Sequence, residues 1–422
     1  SKNLRDQAEL SRYPNANASS SYGFSWGRAI NLTTNQFITE RFSSSTIGAG
    51  SSVPVFSGLQ IRNSIAQSSI DVEASQYDVE KATNDIQLDI VTFYLNVIFN
   101  QELLENAKFQ LESSKNQLER TKKLVEVGSL PKTSELELVS QVASNEVSVI
   151  NSENSLNLAM LTLKQAALIP QSERVEVSLP DAEVEELDIT MRADDVFDAA
   201  QNTLPEILAA DLRVRSAEYD YEIQRGGLYP TLTLNAGLGT RYSQADRGFV
   251  PDGGGDFEIV GGLQTASGEA IESFQPTGNF QTTPVGTQFK DNFNRSLTLS
   301  LNIPIFNGLS QRSAIQRSKI SIQQAQINAD EQRIFLRQII ETAYNDSQAA
   351  KKTFEAATKQ VEALEETFRS VQNQLNNGAA NQTDFQVASN NLFQAKSDLT
   401  RAKFDYIFKK KLLDFYQGKP IF

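Results

Sequence analysis

Apolar residues alternate with small polar ones at Leu297, Leu299, Leu301, Ile303 and Ile305, with Ser296, Thr298, Ser300 and Asn302 between them. A period of two predicts a β-strand with one apolar face. The same alternation runs through Leu232, Leu234, Ala236 and Leu238, and through Ile47, Ala49, Val53 and Val55 set against Gly48, Gly50 and Ser52. Tyr22, Phe24 and Trp26 share one face of an earlier strand, as an interfacial aromatic girdle would. Strands are therefore expected over about 13–56 and about 229–306, the latter interrupted by a long loop at 244–292. Taken alone, such strands fit a soluble antiparallel sheet with one buried face. The helices that follow them change that balance.

From Leu59 to Val125 the chain contains neither Pro nor Gly, and Gln311 to Leu375 repeats the feature. The spans predict long helices over about 59–125 and 309–375, each reaching about 100 Å at 1.5 Å per residue. Ile315, Ile322, Ala329 and Leu336 lie seven apart, with Ala325, Ile339 and Ala343 interleaved, so one face is a heptad seam. Ile320, Ile327 and Ile334 make a second stripe. Two seams suit a helix with a neighbour on each side, as in a ring of helices; the polar remainder suits water inside and outside it. Gly128 followed by Pro131 stops the first long helix. Return helices are expected over about 134–168, with Ser134 and Glu137 as a capping box, and about 383–416 after the turn at Asn377-Gly378-Ala379. One further helix is expected over about 193–226. Between them, 169–187 carries Pro170, Pro180 and an acidic run, and reads as an ordered equatorial excursion on the outside of the helical body.

These patterns occur twice. Val53-Pro54-Val55-Phe56-Ser57-Gly58-Leu59 reappears 250 residues later as Ile303-Pro304-Ile305-Phe306-Asn307-Gly308-Leu309. Arg62 and Arg312, Tyr94 and Tyr344, Gly128 and Gly378, and Thr133 and Thr383 keep the same step, so about eighty residues run without net insertion. Tyr13-Pro14 meets Tyr229-Pro230 at a step of 216, which leaves 34 surplus residues in the second copy, where Gly253-Gly254-Gly255 and Gly261-Gly262 lie. The chain thus divides into a first structural repeat, 1–187, and a second, 188–422, with the surplus expected extracellularly between two strands. Ser1 corresponds to Ala217, inside a helical stretch, so about 25 residues of a first helix and any export signal are expected upstream.

Composition narrows the function. A net charge of −13, from 52 acidic and 39 basic residues, argues against nucleic acid as partner. The chain has no Cys and no His, which removes the usual zinc ligands, thiol nucleophiles and Ser-His-Asp triads. No metal, cofactor or catalytic residue is expected. No window reaches the 18 or more apolar residues of a membrane helix, so a membrane would be crossed by strands. Four strands cannot close a barrel, and open edges in lipid leave backbone groups unpaired, so closure must come from other copies. Three chains give twelve strands and a lumen.

The repeated Pro-x-Phe-x-Gly at each strand-to-helix junction, the Val127-Gly128-Ser129 and Asn377-Gly378-Ala379 turns, and the Gly-x4-Thr-(Ser/Asp) starts of both return helices resemble the TolC-type outer membrane efflux proteins. The resemblance covers nearly the whole chain. It implies an α+β membrane protein in which a long helical barrel continues a transmembrane β-barrel, four strands per chain and twelve in a homotrimer. It implies a Gram-negative outer-membrane location with a large periplasmic part. The implied function is that of a passive, non-enzymatic exit duct for a tripartite efflux or type I secretion system. The implied partners are outer-membrane lipid, a periplasmic adaptor and an inner-membrane transporter. Asp384, with Thr383, Thr133 and Ser134, falls where the family gates its periplasmic entrance; the alternative role for Asp384 is to stabilise its own helix N-terminus. Val127, Gly128, Ser129, Leu130, Asn377, Gly378 and Ala379 fall at the tips that meet the adaptor. Pro54, Phe56, Gly58, Pro304, Phe306 and Gly308 belong to the junctions. Positions of the family's tip latch hold Leu375 and Ala380, and a usual second acidic residue is Val387, so any latch here must differ. A coiled-coil scaffold or adhesin of the envelope would explain the heptads but not the strands or the duplication, and the scattered carboxylates form no recognisable hydrolase pair.

Overall fold

The computed structural model of the 422-residue chain describes residues 2–31, 36–177, 191–252 and 257–419. Pro180, the acidic run 181–188 and Gly253-Gly254-Gly255 lie outside the described residues. In chain order the elements are α1 (Lys2–Leu10), β1 (Asn15–Asn31), β2 (Gln36–Ser57), α2 (Gln60–Glu126), α3 (Lys132–Ala166), α4 (Ala193–Thr203) and α5 (Pro205–Gly226). They continue as β3 (Thr231–Ser243), β4 (Arg247–Pro251), β5 (Phe257–Gln264), β6 (Ala270–Pro276), β7 (Gly278–Thr282), α6 (Val285–Asp291), β8 (Asn294–Asn302), α7 (Ser310–Asn376) and α8 (Gln382–Tyr416). The chain forms two compact units, Ser1–Ser69 with Ser216–Ile322, and Ile70–Arg215 with Gln323–Phe422.

The first unit holds an antiparallel sheet in the order β1-β2-β3-β8. β1 and β8 are its edges. Its pairings are related by the sequence steps: Asn15 faces Ser52 and Thr231 faces Asn302, residues 216 and 250 further on. The apolar residues of β8, Leu297, Leu299 and Leu301, are exposed, so the strand's apolar face has no cover within the chain. On β1 the rings of Tyr22, Phe24 and Trp26 form a row, the first pair edge-to-face and the second tilted, with centroids 5.3 and 6.1 Å apart. β2 continues past a bulge between Pro54 and Phe56, because β3 lies beside it to take its hydrogen bonds. The equivalent segment after Asn302 has no such neighbour in the chain and is not a strand.

The 244–292 stretch, expected as a loop, carries two short antiparallel ribbons, β4–β7 and the hairpin β5–β6 between them in sequence, and α6. The Gln288 amide is one of the groups that tie it to the sheet. The Gln288 side chain accepts from the Ser243 N–H at 2.8 Å and donates to the carbonyls of Ser243 and Thr283 at 3.0 and 2.8 Å. Fully buried, it imitates a strand's donor and acceptor at the end of β3.

The second unit is helical. α2 packs through Val97 on Ala159 and Leu163 of α3, and through Leu95 and Ile98 on Phe404 and Ile407 of α8. α8 in turn packs through Leu392 and Ala395 on Val361 of α7. Val196, Ala200, Leu204 and Ile207 bury against Leu336 and Ile340 of α7. Each such aliphatic side chain contributes about 1.5–3 kcal/mol on full burial. Of the two stripes on α7, the seam through Ala329, Leu336 and Ala343 is buried, whereas Ile320, Ile327 and Ile334 are exposed. Ion pairs such as Lys115–Glu146 and Lys396–Glu365 cross between helices but are substantially exposed, and add little.

Two local expectations are corrected. The helix expected over 193–226 is two helices, broken at Leu204, whose ψ of 130° is extended. Pro205 disfavours a helical residue before it and lacks the N–H that would continue the ladder. The Ser134–Glu137 capping box is not formed, because α3 begins earlier, at Lys132, with Pro131 as N-cap and no side-chain cap bond. The N–H of Ser134 instead bonds the Pro131 carbonyl at 3.1 Å. At its other end α3 closes with Leu168 in the left-handed region, φ 56°, while Ile169 N–H bonds Lys164 O at 2.8 Å. An L residue there costs about 1–2 kcal/mol relative to glycine. Leu168→Gly should slow amide exchange in the last turn of α3 by about fivefold, equivalent to about 1 kcal/mol; unchanged exchange would mean that Leu168 is unstrained.

Candidate functional site at the helix turns and strand junctions

The two helix-to-helix turns share one geometry. After α2, Gly128 has φ 75°, its N–H bonds Val125 O at 3.0 Å, and Ser129 N–H bonds Leu124 O at 2.8 Å. After α7, Gly378 has φ 73°, its N–H bonds Leu375 O at 3.1 Å, and Ala379 N–H bonds Gln374 O at 2.8 Å. Both are Schellman closures, which need a residue that tolerates positive φ. A Cβ on either glycine would meet nothing within 4 Å, so backbone conformation alone selects them. Val127, Ser129, Asn377 and Ala379 are exposed and Leu130 is half-buried.

Asp384 sits in the third position of α8 and closes a capping box with Asn381. Its N–H donates to Asn381 Oδ1 at 2.8 Å, and its carboxylate accepts from the Asn381 N–H at 3.3 Å. The carboxylate favours the helix N-terminus through the macrodipole. Asp384 and Thr383 stay exposed, as does Thr133 at the start of α3. Ser134 is half-buried.

Polar contacts between α2 and α8 near this end were not anticipated. Gln117 donates to Gln382 Oε1 at 3.1 Å, Gln110 donates to Asn390 at 3.3 Å, and the rings of Phe109 and Phe393 lie 5.9 Å apart. Between α2 and α3, Asn145 donates to Ser114 Oγ at 2.9 Å in a buried pair. Two buried polar atoms here, Thr121 Oγ1 and Gln382 Nε2, have no hydrogen-bond partner. Ser114 and Thr121, seven apart in α2, were the available signal of a small polar stripe.

The junction residues lie in the first unit. Gly58 and Leu59 both occupy the left-handed region, φ 60° and 66°, and Gly308 and Leu309 do likewise, φ 64° and 65°. Two consecutive left-handed residues make the change from strand to helix. At the first junction the fit is close: a Cβ on Gly58 would lie 2.2 Å from the Gly226 carbonyl oxygen. Gln60 Nε2 donates to Ile223 O at 3.3 Å, and Gln311 Nε2 to Gln224 O. The last carbonyls of α5 are thus capped by glutamines from the first turns of both long helices. Among the described residues no group of three or more acidic side chains is placed to hold a metal ion, and no helix is long and apolar enough to cross a membrane.

The family of outer membrane efflux proteins matches residues 3–167 and 196–408. The chain belongs to the outer membrane efflux protein family. Its relative BepC, an outer membrane efflux protein of Brucella suis biovar 1, is 23% identical over 372 residues, covering 87% of this chain and 71% of that protein. Among solved structures, CusC is similar with a TM-score of 0.77 at 14% identity, over 99% of this chain and 86% of that one. VceC of Vibrio cholerae has a TM-score of 0.72 at 15% identity, over 100% and 90%. The fold is therefore that of outer-membrane channels. This efflux protein resides in the outer membrane and is an exit duct for efflux.

The two kinds of glycine predict different sensitivities. Gly378→Ala should cost about 1 kcal/mol from its φ alone. Gly58→Ala should cost more, since the methyl would also meet the Gly226 backbone. Thermal melting of the detergent-purified variants ranks them; equal losses contradict the close fit.

Proposed function

We propose that three copies of the chain, each built from two structural repeats (1–187 and 188–422), close their sheets into one twelve-stranded barrel that continues as a helical tube. The observation that carries this is the four-stranded sheet with two free edges and an uncovered apolar strand, β8. A free edge in hydrocarbon costs several kcal/mol for each unpaired backbone group, and barrel closure is the one arrangement that removes every edge. The family supports the same reading. The duct performs no chemistry; an inner-membrane transporter supplies the energy, and a periplasmic adaptor grips the tips at Val127–Leu130 and Asn377–Ala379. Drug efflux and type I secretion both fit a passive duct of this kind.

The gate is assigned to Asp384, flanked by Thr383 and by Thr133 and Ser134 of α3. Its capping bonds fix the carboxylate at the start of α8, so cap and gate are compatible roles. Three such carboxylates around an axis would concentrate cations at a constriction. The Asp384→Asn variant keeps an oxygen for the Asn381 N–H and removes the charge. In planar bilayers the parent should give cation-selective currents blocked by divalent cations from the helical side. The variant should need on the order of tenfold more divalent for half-block. Unchanged block would leave Asp384 as a cap only, and absence of any current would remove the duct reading.

A further inference from the structure

The four-stranded sheet distributes charge unequally between its two faces. Arg28 of β1 shares a face with Tyr22, Phe24 and Trp26, and Trp26 stands opposite Arg41 of β2. Along that face of β2, Ala49 stands opposite Leu238 of β3, and Leu238 in turn opposite Arg295 of β8, in line with Leu297, Leu299 and Leu301. Arg28, Arg41 and Arg295 are the only charged residues at positions of this face in the four strands. Glu40 and Arg241 fall at alternate positions, opposite Gly27 and Thr46. In a chain of net charge −13, the apolar face of the sheet thus carries three positive charges and no negative one. We infer that this face holds a lipid with a phosphate-bearing head group, the phosphate on Arg28 and Arg41 and the acyl chains along the apolar side chains beside them. The inference rests on the barrel proposed above, whose apolar outer face meets lipid.

The surroundings of the arginines support a phosphate ligand. Each guanidinium lies over an aromatic ring: Arg28 is 4.1 Å from the Phe37 centroid, Arg41 5.1 Å from that of Phe24, and Arg295 5.1 Å from that of Phe293. Stacking occupies the flat side of a guanidinium and leaves its in-plane N–H fork to donate to an anion, for which phosphate has the matching geometry. Among the described residues none of the three forms an ion pair. Arg28 and Arg41 are diagonal neighbours across the β1–β2 ladder, about 7–8 Å apart, so a single phosphate can accept from both. Depth in the membrane agrees with the charge. Arginine is tolerated on the lipid face of a barrel near its interfaces, where aromatic side chains also gather. Both arginines lie at the end of the β1–β2 hairpin remote from the helix junction at Gly58, which assigns them to the leaflet away from the helices. On the junction side of them, Phe24, Tyr22 and Ile47 continue the same face and are exposed, ready to take acyl chains. A free anion would use the guanidiniums but not this apolar continuation.

Trp26 is the only tryptophan in the chain and stands opposite Arg41, so its emission reports on this site without a label. Two probes are titrated into the full chain in non-ionic detergent: an acylated glucosamine disaccharide carrying two phosphates, and the same lipid dephosphorylated. The blue shift of Trp26 should reach half-saturation at a concentration at least about tenfold lower for the phosphorylated lipid. Arg28→Gln combined with Arg41→Gln should abolish that preference, whereas Arg241→Gln, which removes one positive charge from the alternate face, should keep it. Bilayer conductance of each protein is measured in parallel. An equal response to the two lipids overturns the site, as does a preference that the paired variant retains or that Arg241→Gln also loses. The same shift produced by inorganic phosphate alone would make the arginines a free-anion site and overturn the lipid assignment. If no lipid shifts the emission of protein that conducts, the lipid site falls and the barrel stands. Protein that neither responds nor conducts removes the barrel reading, and the lipid site with it.

Discussion

Backbone hydrogen bonding at the two edges of the β1-β2-β3-β8 sheet is the constraint on which the molecule turns. An isolated antiparallel sheet can leave its edges to water, but an outer-membrane sheet cannot leave them to lipid. The leucines of β8 and the aromatic row of β1 stand exposed along those edges. In the helical unit the buried seams run between α2, α3, α7 and α8, while Ile327 and Ile334 of α7 stay exposed. Several apolar rows of the described residues are thus left uncovered within one chain.

The strand-to-helix junctions, within the first unit, rest on backbone conformation. Gly58 with Leu59, and Gly308 with Leu309, place two successive residues in the left-handed region, and glycine meets this at no steric cost while leucine does not. Proline ahead of each junction donates no ladder bond and so tolerates the end of a strand. At the first junction the surrounding structure holds the strained leucine in place, with Gly226 and Gln60 packed against the turn.

The long helices were legible because nothing in 59–125 or 311–375 interrupts them, and the strands because alternation was clean. Other features were written in residues whose role is set by what lies opposite. Gln288 looks like any loop glutamine until it is found clasping the end of β3. Pro205 falls inside an otherwise helical pattern, and the break at Leu204 is marked only by the preference of a residue before proline for extended backbone. Ser134 and Glu137 have the spacing of a capping box, but Pro131, well suited to the edge of a helix, moved the start upstream. At Asp384 the sequence left cap and gate open; the structure supplies the capping geometry with Asn381. Neither unpartnered atom, Thr121 Oγ1 nor Gln382 Nε2, has a signature in sequence, because being unsatisfied is a property of a packed neighbourhood.

The seven-residue seam of α7 has a consequence for how such a chain can change length. One residue inserted into α7 would rotate every later side chain by about 100°, carrying Leu336, Ile340 and Ala343 off the buried face together. α2 and α7 are both 67 residues long, and α3 and α8 both 35. Helical length in this molecule is therefore the same in both copies. Extra sequence is admitted elsewhere, as between β3 and β8, where it can fold into hairpins of its own without turning a single seam.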